Sequence, residues 1–400
     1  MSAPVNSTLT QIAAVTALNV RNIPERLGSS IVALVGIAGV VTVLIGVLSI
    51  SEGFRAVLEL SGAADVAIVL RDGATDEMGS NMSLAQSRIV ADAPGVARNA
   101  QGAVTSPELY VVVDVPLRST GTAANVPLRG VGQSAAQLRQ GFHIMEGRDF
   151  VPGNFEVIVG SGAARQFAGL EVGRKIRWGN TEWLIAGIFA DRGSVAQSEI
   201  WTDASVLQGV YNRGTSFQSM RVKLGSASDF GPFKDALTTD PRLNVTVITE
   251  QEYYARQSET MTTLVNSIGK AIAVLMGLGA IFAALNTMYS SVATRTREIA
   301  TLRALGFNSG PVMISVLTEA LLLGLLGGVI GMLISYFAFD GVRASTMNFA
   351  TFSQITFAFT VTPTLLVNAL VYALVLGLIG GSLPCWRAAR MPITSGLREL

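Results

Sequence analysis

Side chains that commonly do chemistry are scarce in this sequence. One histidine, His143, and one cysteine, Cys385, occur in 400 residues. The first count excludes His-rich zinc sites, and neither residue comes with the partners of a nucleophilic triad or dyad. His143 lies in "GFHIMEGRDF" and reads as an ordinary surface or packing residue. Cys385 has no second cysteine for an internal disulfide. The phosphate-cradling pattern G-x-x-x-x-G-K-[ST] does not occur; "GRKI" and "IGKA" have the wrong spacing and the wrong following residue. No catalytic, cofactor-binding or metal residue is therefore assigned. Carboxylate pairs such as Asp76-Glu77 lie in polar stretches and read as solvated.

Charge is concentrated instead in "TRTREIATLRALGFNSG", residues 294–310, which carries Arg295, Arg297, Glu298 and Arg303 between two apolar runs. On a helix, Arg295 and Glu298 are i,i+3 neighbours that can pair. Ile299, Leu302 and Leu305 fall on or near one face, with Arg303 turned about 100° from Leu302. Gly306 suits the left-handed position just past a helix end. Pro311 then suits the start of the next helix, where its missing N–H costs nothing. The result is a short helix with an apolar anchor and a charged face. From the residues alone two uses stand open: a basic loop that only fixes topology, or a helix that fits a groove on a partner. Glu319, about two turns into the following apolar run, is an ionisable group in an expensive place. It can pair with Arg295 or Arg297, snorkel to the surface, or take part in a conformational cycle.

The elements that must position these residues follow from composition. Half of the residues are hydrophobic, only 14% are charged, and the mean hydropathy is +0.46; soluble domains carry about 25% charged residues. This is a membrane protein. A net charge of +1 gives no reason to expect nucleic acid. A span needs about 20 mostly apolar residues, and four runs qualify: 29–51, 261–290 (with the end of a stalk), 312–339 and 365–386. The first exceeds the roughly 7–15 apolar residues of a secretory leader and is expected to be retained. Arg21, Arg26, Arg295, Arg297, Arg303, Arg387, Arg390 and Arg398 fall on one side of these spans, against Arg343 in the short outer loop 340–364. The positive-inside rule then makes both termini (1–28 and 387–400) and the 291–311 segment cytoplasmic. The glycine pairs Gly324/Gly328, Gly327/Gly331 and Gly377/Gly381 let helices approach closely, within one subunit or at a seam between two.

The expected fold is thus an α-helical membrane protein with four transmembrane helices and a large extracytoplasmic α/β domain, 52–260, inserted between helices 1 and 2. Strands are expected at 64–70, 108–115, 155–160, 181–189, 219–224 and 244–249, and helices at 83–93, 161–168 and 227–238. A strand-rich middle between alternating ends suggests two lobes, one inserted in the other. From Glu250 the pattern stays helical into the second run without Gly or Pro until Gly269. It reads as a continuous stalk or as a loop followed by a separate span. Residues 8–24 have an irregular apolar stripe (Leu9, Ile12, Val20, Ile23) and read as an interfacial helix or a disordered lead.

"SSVATRTREIATLRALGFNSGPVMISVLTEALLLGLLGGVIGMLISY" resembles the signature region of the FtsX-like/MacB-type permeases, membrane subunits of a class of ABC transport systems. "ALNVRNIPERLGSSIVALVGIAGVVTVL", "EVIVGSGAARQFAGLEVGRKIRWGNTEWLIAGIF" and the tail "PCWRAARMPITSGLREL" extend the resemblance along essentially the whole chain. The resemblance implies a cell inner membrane protein that pairs with a second permease copy or a paralogue. It further implies a separate cytoplasmic ABC ATPase, itself a dimer, which binds the ATP and Mg. Membrane lipids, and an adapter protein or lipoprotein, complete the implied partners. Arg295, Arg297, Glu298, Leu302, Arg303 and Gly306 would then form the coupling helix that docks on the ATPase. The implied function is export, or lipoprotein or lipid extraction, by mechanical movement of the outer domains. The alternative is a non-transporting transducer that activates a cell-wall hydrolase during division.

Overall fold

The computed structural model describes residues 27–305, 308–348 and 353–390. The chain divides into two compact units. Gly53–Thr262 and Arg343–Ala358 form a sheet unit; Met1–Glu52, Thr263–Val342 and Phe359–Leu400 form a helical unit. In chain order the elements begin with α1 (Leu27–Ser61), β1 (Val66–Arg71), β2 (Met82–Ser83), α2 (Leu84–Ala91), β3 (Arg98–Asn99), β4 (Gly102–Ala103), β5 (Thr105–Pro116) and β6 (Ala123–Val131). Next come β7 (Phe142–Gly147), β8 (Glu156–Gly160), α3 (Ser161–Gln166), β9 (Lys175–Trp178), β10 (Thr181–Asp191), β11 (Ile200–Asp203), α4 (Ala204–Val210), β12 (Ser216–Phe217) and β13 (Ser219–Lys223). The last are α5 (Phe230–Thr238), β14 (Val245–Thr249), α6 (Glu250–Thr294), α7 (Thr296–Ala304), α8 (Ser309–Phe339), β15 (Arg343–Asn348), β16 (Ser353–Ala358) and α9 (Pro363–Arg390).

The sheet unit is built on a ten-stranded mixed sheet ordered β14-β1-β13-β5-β6-β11-β8-β10-β7, with β9 added on β10. β8 and β10 pair in parallel, as do β6 and β11. Apolar strand runs such as "VAIVL" are buried along their length, as strands covered on both faces require. Ser83 starts α2 through a capping box with Gln86, each side chain satisfying the other's backbone N–H. One hydrophobic core gathers Ala67, Val69, Val90, Val222, Phe233 and Leu237 from β1, β13, α2 and α5. A second gathers Val113, Val126, Leu128, Val157, Trp183 and Ile185 from β5, β6, β8 and β10. β5 joins the two: Thr105–Glu108 pair with β13, while Leu109–Pro116 pair with β6. One sheet thus serves two cores, and the partner change falls between Glu108 and Leu109.

The segment expected as a short outer loop, 340–364, contains the antiparallel hairpin β15–β16. It belongs to the sheet unit. Gln166 Nε2 donates to Ser345 Oγ at 2.8 Å, and Thr356 Oγ1 donates to Gln166 Oε1 at 2.7 Å. The Thr356 N–H reaches Ser198 Oγ at 3.0 Å. The hairpin is held by polar contacts from distant residues, which its own short pattern does not announce.

Among the described residues four helices, α1, α6, α8 and α9, are long and apolar enough to cross a membrane. α6 is a single 45-residue helix. In the helical unit Ile37, Val41 and Ile45 pack with Ala280, Ala369 and Ala373. Met288, Val292, Val316, Ala320 and Cys385 form a second cluster with Ile299 of α7.

Candidate functional site

α6 ends at Thr294 and α7 begins at Thr296, so the charged segment turns at Arg295. Ile299 and Ala300 are buried, and Ile299 packs among Met288, Val312 and Val316. Leu302 and Arg303 are half-buried. Arg297, Glu298 and Thr301 are exposed, and Leu305 is 73% exposed. The expected anchor of Ile299, Leu302 and Leu305 is therefore corrected at its last member. Leu305 is the cap residue and still bonds to Thr301 O at 3.0 Å, and six residues beyond Ile299 the helix turns it about 120° away from that buried side chain. Glu298 in the first turn and Arg303 in the last both complement the helix dipole. Gly306 lies outside the described residues, as do Arg21, Arg26, Arg398 and the 8–24 stripe.

Beneath α7, Arg295 Nη1 donates to Glu319 Oε2 at 3.0 Å, with both side chains about 95% buried (4% and 5% exposed). Ser291 Oγ donates to Glu319 Oε1 at 3.2 Å. Glu319 thus has a partner at the root of the charged segment, the arrangement a carboxylate needs when water is excluded. A cavity of 30 Å³ beside the pair is lined by Ser291, Arg295, Glu298, Ile299, Leu302 and Val316 among others.

The six singled-out glycines lie on two faces of α8 and one of α9. A Cβ on Gly324 would meet Ala373 O at 2.9 Å, and one on Gly328 would meet Ala373 Cβ at 2.9 Å. From the other helix, a Cβ on Gly377 would meet Ala320 O at 2.7 Å, and one on Gly381 would meet Ala320 Cβ at 2.4 Å. Gly327 and Gly331 instead face α1, where a Cβ would meet Ile37 Cβ at 3.0 Å and Ala38 O at 2.7 Å. These glycines let α8 lie against both α1 and α9 within one chain.

The sheet unit holds a site that sequence reasoning missed. Glu77, expected to be solvated beside Asp76, is 2% exposed. Its carboxylate accepts from Arg129 Nη1 at 2.8 Å and Nη2 at 2.9 Å, from Arg221 Nη1 at 3.1 Å and from Ser219 Oγ at 2.5 Å. Arg129 also donates to Glu108 Oε2 and, through Nε and Nη2, to both oxygens of Glu199, each at 2.8 Å. Arg221, fully buried, also donates to Glu108 and, at 3.1 Å, to Glu250 Oε1. Arg139 pairs with Glu250. Arg129 stacks over Tyr110 at 5.0 Å, and Trp201 Nε1 donates to Glu199 at 2.7 Å. The polar stretch around Glu77 hid its burial because its partners lie 52 and 144 residues away. The available signal was a charge inside an apolar strand: Glu108 in "ELYVVV", Arg129 in "PLRGV" and Arg221 in "SMRVKL".

Burial alone pushes the Glu77 carboxyl up, but the Arg129 and Arg221 charges outweigh it and hold it well below the usual carboxylate range. The Glu199 carboxyl is likewise pushed up by burial and, on balance, held down by Arg129. Burial opposes the charge of Arg129 and Arg221 too, and the surrounding carboxylates more than restore it. His143 is exposed, with Nδ1 2.9 Å from the Gly141 carbonyl. Cys385 is buried, and its Sγ donates to Met313 O at 3.0 Å.

Comparison with known proteins matches residues 30–240 to the MacB-like periplasmic core domain and residues 270–393 to the FtsX-like permease C-terminal model. The chain is 26% identical over 393 residues to a macrolide export ATP-binding/permease protein MacB from Hahella chejuensis. It is 25% identical over 394 residues to the protein of the same name from Bordetella avium. Each match covers 92% of this chain, which spans 58% and 56% of the length of these two relatives. Among solved structures, the periplasmic region of MacB from Actinobacillus actinomycetemcomitans aligns with a TM-score of 0.37 at 12% identity, covering 52% of this chain and 94% of that one.

Proposed function

Because the chain belongs to the FtsX-like permease family of ABC transporters and carries its MacB-like periplasmic core domain, we propose that it couples ATP hydrolysis by a separate cytoplasmic ATPase to movement of that domain outside the membrane. α1, α6, α8 and α9 are the spans, both termini are cytoplasmic, and the sheet unit faces outward, in keeping with the arginine distribution. Two chains work together, either identical or paralogous. The movement serves export, or extraction of a lipid or lipoprotein, from the outer side. The two relatives described above are named as macrolide exporters, which favours export.

The single observation that carries this reading is the surface of α7. A short helix anchored by Ile299 and Ala300 presents Arg297, Glu298 and an exposed Leu305. That is an apolar contact rimmed by charge, the form of a helix-in-groove interface. A loop that served only to set topology would need the arginines, and neither the helix nor the leucine. The buried Arg295–Glu319 pair beneath α7 gives it a fixed root, so force on the helix passes into α8. The experiment is affinity capture of the tagged chain from native membranes, with mass spectrometry of what accompanies it. An ATPase with an adapter, lipoprotein or outer-membrane channel supports the exporter. An ATPase with a wall hydrolase replaces it with signal transduction. Absence of any ATPase under conditions that preserve membrane complexes removes the reading.

A further inference from the structure

Five contacts, three of them through Glu250, bring the end of α1 and the start of α6 to one point in the sheet unit. The Ala63 N–H, two residues past α1, donates to Glu250 Oε2 at 3.3 Å. Glu250 is the first residue of α6, and its other oxygen accepts from Arg221 Nε on β13 and from Arg139. At Gly62 the backbones are so close that a Cβ would meet Gln251 Cα at 2.6 Å. Ser61 Oγ, in the last turn of α1, accepts the Val195 N–H at 2.7 Å. A carboxylate at the head of a helix already favours the dipole. This one is also buried, at 1% exposure, which is unnecessary for capping and costly unless the charge has further work.

We propose that Glu250 is a positioning residue: one carboxylate fastens the end of α1 and the start of α6 to β13 as a single joint, so that motion along either long helix reaches the sheet together. The proposal rests on the reading that these helices carry motion from a cytoplasmic ATPase. Arg139 and Arg221 hold one oxygen while the α1 end holds the other, so α1 cannot shift relative to α6 without straining the arginine cluster. Gly62 is the steric half of the same device, since only a residue without a side chain lets the two backbones meet there.

The test is amide hydrogen exchange of the full chain in lipid nanodiscs, alone and with its ATPase loaded with nucleotide, for wild type, E250Q and G62A. E250Q removes the charge and keeps an acceptor; G62A keeps the carboxylate and pushes the backbones apart. In the chain alone, each variant is expected to speed exchange at least tenfold both at Ala63 and in the first turn of α6, with β8 unchanged. In the loaded complex, wild type is expected to change exchange at Arg221–Lys223 on β13. Both variants are expected to lose that response while keeping the response within residues 270–290. Unchanged exchange at Ala63 in both variants, or survival of the β13 response in both, overturns the joint. Acceleration throughout the sheet overturns it too, because Glu250 would then be a stability residue only. If wild type shows no nucleotide response at 270–290, the transport reading fails, and the Ala63 result still decides the joint.

Discussion

The two units bury their arginines in opposite ways. In the helical unit Arg295 is held by Glu319, and Ser291 also serves the carboxylate. In the sheet unit Arg129, Arg139 and Arg221 interlock with Glu77, Glu108, Glu199 and Glu250, each arginine touching at least one carboxylate and most carboxylates touching two arginines. A pair is local: Arg295 and Glu319 join α8 to the foot of α7 through one ion pair. A network is shared: Arg129 serves three buried carboxylates at once, so its removal leaves fewer cations than those carboxylates need. The difference suits the proposed roles. A pair at the root of α7 can be remade as helices shift, whereas a network makes the sheet unit a rigid body to be moved whole.

The largest effect should come from R129M. It removes five hydrogen bonds to three buried glutamates, and breaking even one buried pair costs about 3–5 kcal/mol. The expected outcome is that the chain no longer accumulates with a folded sheet unit, as read by limited proteolysis in membranes. E319A should lower the unfolding temperature in detergent, since it removes the buried carboxylate that Arg295 Nη1 and Ser291 Oγ both reach. The double change R295M with E319L should recover most of that loss. The matching double change R129M with E199L should not, because Glu77 and Glu108 are then left to share Arg221. Equal recovery in both units would erase the distinction between pair and network.

G381A should cost about 1–3 kcal/mol, because a Cβ there would sit 2.4 Å from Ala320 Cβ and α8 and α9 must part. Acidification should separate the units further. Folding lowers the pKa of Glu77 and Glu199, so their contribution is complete above the ordinary glutamate value near 4.3 and is lost as pH falls below it. The sheet unit should lose stability progressively as pH falls through that acid range, with no loss from these carboxylates between pH 5 and 8. The smallest effect belongs to E171A, which removes exposed ion pairs with Arg118 and Arg174 and should leave the unfolding temperature as in wild type.

The same contrast explains what the sequence discloses. Helices long and apolar enough to span a bilayer are written in contiguous residues, and so is the charged helix at 296–304, whose root reaches Glu319 only 24 residues from Arg295. The sheet strands were visible as apolar runs, but their order was not, because β5 changes partner at Glu108 and the parallel pairs join distant segments. Glu77 looked solvated because its surroundings in the chain are polar, and the arginines that bury it come from β6 and β13. Leu305 looks like an anchor because it lies three residues from Leu302, but six residues from Ile299 is a turn of about 120° off the buried face. Local physics is legible in local sequence, and the network is made of long-range neighbours.

The central claim is that α7 transmits work from an ATPase, and the most direct measurement is cargo-stimulated ATP hydrolysis by the reconstituted permease–ATPase complex carrying E298K with R303E. The account predicts loss of stimulation by at least tenfold, with membrane insertion and unfolding temperature as in wild type. Stimulation that persists unchanged in that variant would contradict it.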